Sequence, residues 1–139
     1  MTQTISYEGL THDKIHPSDI DAVIEIDDKY LFLFEVKHVT KFKAPTGQRL
    51  MLHRLADAWC WRHLDDDISH LLARRSWVIY ANHDALYQLK EEIVLKDCKV
   101  FEVYHQGRLF DFCSEHKETV GSLLQKISQK YKIKKLDYK

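Results

Sequence analysis

The sequence predicts an α/β fold, a mixed β-sheet flanked by helices, in a single domain spanning residues 1–139. Three observations carry this. Residues 19–26 alternate polar and apolar with a period of two. Residues 30–37 are almost unbroken in aromatic and branched side chains. From Gly47 the apolar spacing changes to that of a helix.

The elements follow in order. Residues 1–18 read as a lead-in without clear periodicity, in which Pro17 pushes His16 away from the helical region. Asp19, Asp21, Val23 and Glu25 then fall on one face of a strand, and Ile20, Ala22, Ile24 and Ile26 on the other. Asp27-Asp28-Lys29 is a turn. The run from Tyr30 to Lys37 predicts a central strand buried on both faces, so the two segments make a hairpin. After a basic connection from Lys41 to Pro45, the apolar stripe Leu52, Leu55, Ala56 and Trp59 predicts a helix over about 47–63. The run Asp65-Asp66-Asp67 ends it. A strand is expected at 76–81, a helix capped by Asp84 and running to about Val94, and a strand at 99–104. A last helix over about 115–131 carries Val120, Leu123, Leu124, Ile127 and Tyr131 on one stripe. The alternation of strands and helices implies a layered α/β sandwich.

Composition narrows the function classes. With 139 residues, 45% hydrophobic and 30% charged, the chain has the balance of a soluble globular domain, and no apolar run reaches the length of a membrane span. Residues 1–10 are polar and carry no secretory pattern, so a cytoplasmic location is expected. The cysteines Cys60, Cys98 and Cys113 form no CxxC pair, which predicts packed thiols rather than a disulfide framework or zinc knuckle. Basic and acidic residues number 21 each. That excludes a bulk electrostatic nucleic-acid binder, but not an enzyme with a local charged site.

The chemistry concentrates on the hairpin. A turn centred on Asp28 sets Asp21 opposite Glu35 and Asp19 opposite Lys37, with facing side chains about 5 Å apart. Glu35 and Lys37 share a face because a strand has a period of two. Two carboxylates at that distance repel one another. A divalent ion, Mg²⁺ or Mn²⁺, resolves the conflict as a hard cation bound by Asp21 and Glu35, with the Val36 carbonyl as a further ligand. Such an ion activates a water for attack on phosphorus, and Lys37 would orient that water or stabilise the developing charge. The bland alternative is a structural ion pair, Asp21–Lys37 or Glu35–Lys37. Against it, Glu35 and Lys37 end a strand that is otherwise apolar, where an unpaired charge is costly.

The segments Pro17-Ser18-Asp19-Ile20-Asp21, Phe34-Glu35-Val36-Lys37 and Gly47-Gln48-Arg49-Leu50 resemble the PD-(D/E)xK nuclease superfamily, in particular its small stand-alone phage and prophage members. The resemblance covers about residues 7–60. It implies a restriction-endonuclease-like fold and Mg²⁺-dependent cleavage of DNA, with a role in phage replication or recombination in the host cytoplasm. It makes Asp21 the motif aspartate, Glu35 the second metal ligand and Lys37 the catalytic lysine, with Asp19 as a helper. Gln48, on the stripe of Leu52 and Leu55, is similar to the glutamine that many members place beside the metal. The lead-in is too short for the long first helix of many members, so Glu8 stands as the substitute for its acidic residue.

The remaining features weigh less. Lys41, Lys43, Arg49 and Arg54 flank the site as candidate contacts to the DNA backbone, or as plain surface. The basic C-terminus from Lys126 to Lys139 suits a helix end. His63 and His70 around the three aspartates read as a solvated helix end rather than a second metal site. His38 points away from Lys37, and no histidine pair has zinc-site spacing. Nucleases of this size often dimerise to cut two strands, and Trp61, off the helix stripe, would mark a subunit contact. The alternative function is a catalytically silent nuclease-fold module that binds DNA or a protein partner.

Overall fold

A computed structural model of the chain describes residues 20–40, 46–60, 74–85, 92–113 and 117–134. Five strands form one mixed sheet: β1 (Ala22–Ile26), β2 (Tyr30–His38), β3 (Arg75–His83), β4 (Lys99–His105) and β5 (Arg108–Asp111), side by side in chain order. Helix α1 (Thr46–Cys60) connects β2 to β3, and α2 (Val120–Tyr131) follows β5. All neighbouring strands are antiparallel except β2 and β3, which run parallel. A parallel pair needs a long crossover, and the segment containing α1 supplies it.

The hairpin forms around a tight turn. Asp27 and Asp28 both adopt positive φ (55° and 58°), and Lys29 N–H bonds the Ile26 carbonyl at 3.0 Å. These are the conditions of a type I′ turn, whose twist matches the flanking strands and which short polar residues tolerate. The turn is held from outside. Arg74, only 4% exposed, donates to the Asp28 side chain and carbonyl and to the Trp59 carbonyl, and its guanidinium lies 4.5 Å from the Trp59 ring centroid. One cation thus ties the hairpin tip to the end of α1.

Among the described residues, each sheet face is covered by one helix. Phe32, Phe34, Trp77, Ile79, Ala81, Val100 and Val103 pack under Val120, Leu124 and Ile127 of α2. Leu31, Leu33, Val78, Tyr80 and Phe101 pack under Leu52 and Ala56 of α1. Strand β2 is buried on both faces from Leu31 to Glu35, as its near-continuous apolar run predicts. No helix among the described residues is long and apolar enough to cross a membrane.

Four expectations change. Leu55 is 44% exposed, so the buried stripe of α1 is Leu52 and Ala56, flanked by Met51 and Trp59. Ile20 does not share the face of Ala22 and Ile24; the chain bends at Asp21, and Ile20 turns to the α1 side. The helix expected to run from Asp84 to Val94 does not extend over 92–94, where Val94 is extended, and 86–91 lie outside the described residues. The final helix begins at Val120 rather than 115, because Thr119 caps it by accepting the Ser122 N–H at 3.1 Å. Strand β5 has no counterpart among the sequence expectations. It forms through Gln106 and Gly107, both at positive φ, and every residue in it is exposed.

Candidate functional site

The β1–β2 register runs Ile26↔Tyr30 through Ala22↔Phe34, which leaves Asp21 beside Glu35. Where a backbone carbonyl would continue the ladder, the Asp21 carboxylate takes its place: Oδ2 accepts the Val36 N–H at 2.7 Å. The bend at Asp21 therefore ends the hairpin and brings an exposed carboxylate to the end of β2.

Glu35 is 2% exposed, although it stands in an otherwise apolar strand interior. The Lys37 ammonium sits 2.9 Å from its Oε1, two residues along the strand and on the same face. Oε2 is buried and has no hydrogen-bond partner among the described residues. Burial pushes the Glu35 carboxyl above the usual carboxylate range; the Lys37 hydrogen bond opposes this, the Asp21 charge adds to it, and the Gln48 amide pulls weakly the other way. Asp21, Lys37 and Gln48 thus act on one carboxyl group, although α1 lies outside the hairpin. Gln48 faces it because it stands one helical turn before Leu52 on the buried stripe.

The sheet extends this site sideways. Glu35 lies beside Tyr80 of β3, and Tyr80 beside Glu102 of β4. Arg49, the residue after Gln48, pairs with Glu102 at 2.6 Å and lies 6.0 Å from the Tyr80 ring centroid. The Tyr80 hydroxyl is 2.9 Å from His53 Nε2, and burial pushes its pKa up. His53 stacks on Tyr104 with centroids 3.9 Å apart, and burial, with Arg49 nearby, pulls the imidazole pKa down. Two acid–cation pairs, Glu35–Lys37 and Glu102–Arg49, therefore flank one buried tyrosine.

Of the other anticipated residues, Arg54 is exposed on α1. Arg49 is no loose surface cation, since Glu102 holds it. Glu8, Asp19, Lys41, Lys43, Trp61, His63 and His70 lie outside the described residues. Cys60, Cys98 and Cys113 are free thiols; Cys98 is buried but Cys113 is exposed, so only part of the packed-thiol expectation holds. Sequence reasoning passed over Tyr80 and Glu102. Glu102 carried a readable signal: like Glu35, it is an acid between strand residues Val100, Phe101 and Val103.

Among the described residues, no three or more His, Cys, Asp and Glu side chains gather as metal ligands. The available donors are the Asp21 and Glu35 carboxylates and backbone oxygens such as that of Val36. Mg²⁺ commonly binds through one or two carboxylates and keeps its remaining waters, so this hard-oxygen set fits it. The buried Glu35 Oε2, without a hydrogen-bond partner among the described residues, is the feature such an ion would satisfy. A cavity of about 280 Å³ opens elsewhere, lined by His83, Asp84, Asp97 and Lys99 among others, and it takes in none of Asp21, Glu35 and Lys37. The chain matches no family model, no curated protein and no solved structure.

Proposed function

We propose that this protein is a metal-dependent nuclease that hydrolyses DNA phosphodiester bonds, with Asp21, Glu35, Lys37 and Gln48 as its working residues. The observation that carries the reading is Glu35: a buried carboxylate with one oxygen on a lysine, the other without a hydrogen-bond partner among the described residues, and a second carboxylate beside it. A folded chain gains nothing by burying half a carboxylate unpartnered, since each such group costs about 1–3 kcal/mol. A ligand for that oxygen explains the arrangement, and an acid pair selects a cation.

Asp21 and Glu35 would hold Mg²⁺ or Mn²⁺ by one oxygen each, because Val36 N–H and Lys37 occupy the others. When bound, the ion supplies Lewis-acid activation of water and charge neutralisation at phosphorus. The chain's own groups do the rest. The Val36 N–H orients Asp21. Lys37, tethered to Glu35, keeps an ammonium donor at the site, where it stabilises negative charge developing on phosphate oxygens. Gln48 supplies an amide that favours the charged form of Glu35. The proposed fold family is the restriction-endonuclease-like one, and DNA the substrate; both rest on the PD-(D/E)xK resemblance of the hairpin and α1 segments.

The test incubates the purified chain with plasmid, single-stranded and branched DNA, with Mg²⁺, Mn²⁺ or chelator. Metal-dependent cleavage is expected to fall at least ~100-fold in Asp21→Ala, Glu35→Gln and Lys37→Ala, the scale of a lost charge-stabilising group. One observation favours a second reading: both acid–cation pairs are already closed without any ligand. On that reading the chain is a silent nuclease-fold module that binds DNA or a protein. DNA binding that survives all three substitutions, with no cleavage of any substrate by either metal, would select it.

A further inference from the structure

Arg49 carries a second unsatisfied buried atom. Its side chain is 17% exposed, Nη2 is engaged by Glu102 at 2.6 Å, and Nε is buried without a hydrogen-bond partner among the described residues. An arginine serving only to pin α1 to β4 would be expected to satisfy that donor, because an orphaned buried N–H is destabilising. Its surroundings restrict what the partner is. The first turn of α1 contains no acidic residue, and the helix N-terminus favours negative charge. Gln48 and Arg49 are consecutive, and they address neighbouring carboxylates, Glu35 and Glu102, on either side of Tyr80. Asp111, opposite Glu102 on β5, turns its carboxylate onto the Cys113 N–H at 2.8 Å.

We propose that Arg49 is the phosphate anchor of this site and that Glu102 is its positioning residue. The inference rests on the nuclease reading for its substrate, a phosphodiester, but its geometry is independent of metal. A guanidinium is a planar fork of donors matched to two phosphate oxygens. Glu102 takes one arm of the fork and so fixes its plane. Tyr80, itself held by His53 at 2.9 Å, gives the guanidinium an aromatic wall. An arginine already fixed in this way loses little side-chain freedom on binding, which separates it from the mobile surface cations of a general DNA contact. The anchored phosphate would lie near Glu35, one strand spacing from Tyr80 on β2, and near its partner Lys37, so a single anchor sets which phosphate is presented.

The experiment follows the Arg49 Nε–H resonance of the full chain by ¹⁵N-correlated NMR in the presence of chelator. Inorganic phosphate, then a short oligothymidylate, serves as the probe. The expected result is a saturable shift of the Arg49 Nε–H signal, with affinity reduced about tenfold or more in Arg49→Lys and by a smaller factor in Glu102→Gln, as loss or misplacement of a bidentate charged contact requires. In turnover, Arg49→Lys should raise KM by a similar factor with a smaller effect on kcat. An Nε–H signal that does not move while either probe binds would overturn the proposal, as would an unchanged phosphate affinity in Arg49→Lys. The wild-type titration requires no variant, so a misfolded substitution leaves the test intact. Because it requires neither metal nor cleavage, a shifting Arg49 signal in a chain that cuts no DNA sinks the nuclease reading alone. Cleavage with wild-type KM in Arg49→Lys sinks the anchor alone.

Discussion

Burial holds the Glu35 carboxyl above its ordinary pKa against the pull of Lys37, and the sign of that shift bears on stability. A carboxyl that binds its proton more tightly in the folded chain favours folding fully below its unfolded pKa. That contribution is lost as pH rises through the higher folded pKa. Above that folded pKa the ionised Glu35 is thus a cost of the site. Glu35→Gln is expected to raise stability at pH 7 by roughly 0.5–2 kcal/mol, the usual gain from relieving a functional site. The gain should shrink as pH falls toward the ordinary glutamate range, where the wild-type group is also neutral. Urea unfolding across pH checks this; a variant less stable than wild type at pH 7 would mean that the Lys37 pair outweighs burial. Saturating Mg²⁺ should stabilise the wild type but not the variant, by about 2.7 kcal/mol at a hundredfold excess over Kd. Arg74 is the structural counterpart. Its buried guanidinium serves Asp28 and Trp59 together, so Arg74→Met should cost about 2–3 kcal/mol by urea titration, and Arg74→Lys nearly as much, since an ammonium cannot span the same partners.

At the scale of elements, hairpin geometry explains what was legible and what was not. The β1–β2 pairing could be read because a tight turn between a period-two segment and an apolar run leaves one register that buries Phe32 and Phe34. β5 could not, because Leu109 and Phe110 are adjacent apolar residues on an exposed edge and show no alternation. Its turn tests the same physics in isolation. Gly107 has φ 86°, and a Cβ there would meet nothing within 4 Å. Gly107→Ala should therefore cost about 1 kcal/mol through backbone strain alone, measured as a lower unfolding midpoint with no change in core packing. For α1, the helical period was visible but its orientation was misjudged at Leu55. Amphipathic spacing tolerates either flank, and the sheet beneath kept Ala56 and took Met51 in place of Leu55.

At the scale of the molecule, the two faces of the sheet separate stability from chemistry. The α2 face holds the larger apolar core, and the α1 face carries Glu35, Lys37, Gln48, Arg49, Tyr80 and Glu102 with its own smaller core. Leu124→Ala on the α2 side should cost about 2–5 kcal/mol, the range for large-to-small core changes. Any Mg²⁺-induced gain in stability should persist in that variant, because the Glu35, Lys37 and Gln48 side chains lie on the opposite face from α2; its loss would mean that the faces are coupled through the sheet. The hairpin, its turn and the meeting of Asp21, Glu35 and Lys37 were contained in the chain itself, since a period of two and a three-residue connection act over neighbouring residues. The pairing of Arg49 with Glu102 and the place of Tyr80 between the Glu35 and Glu102 carboxylates were settled only on folding. They depend on a parallel pairing made across a helical crossover and on a β3–β4 register that shifts at Tyr80 and Ala81, and contacts between distant segments leave no periodic trace in sequence.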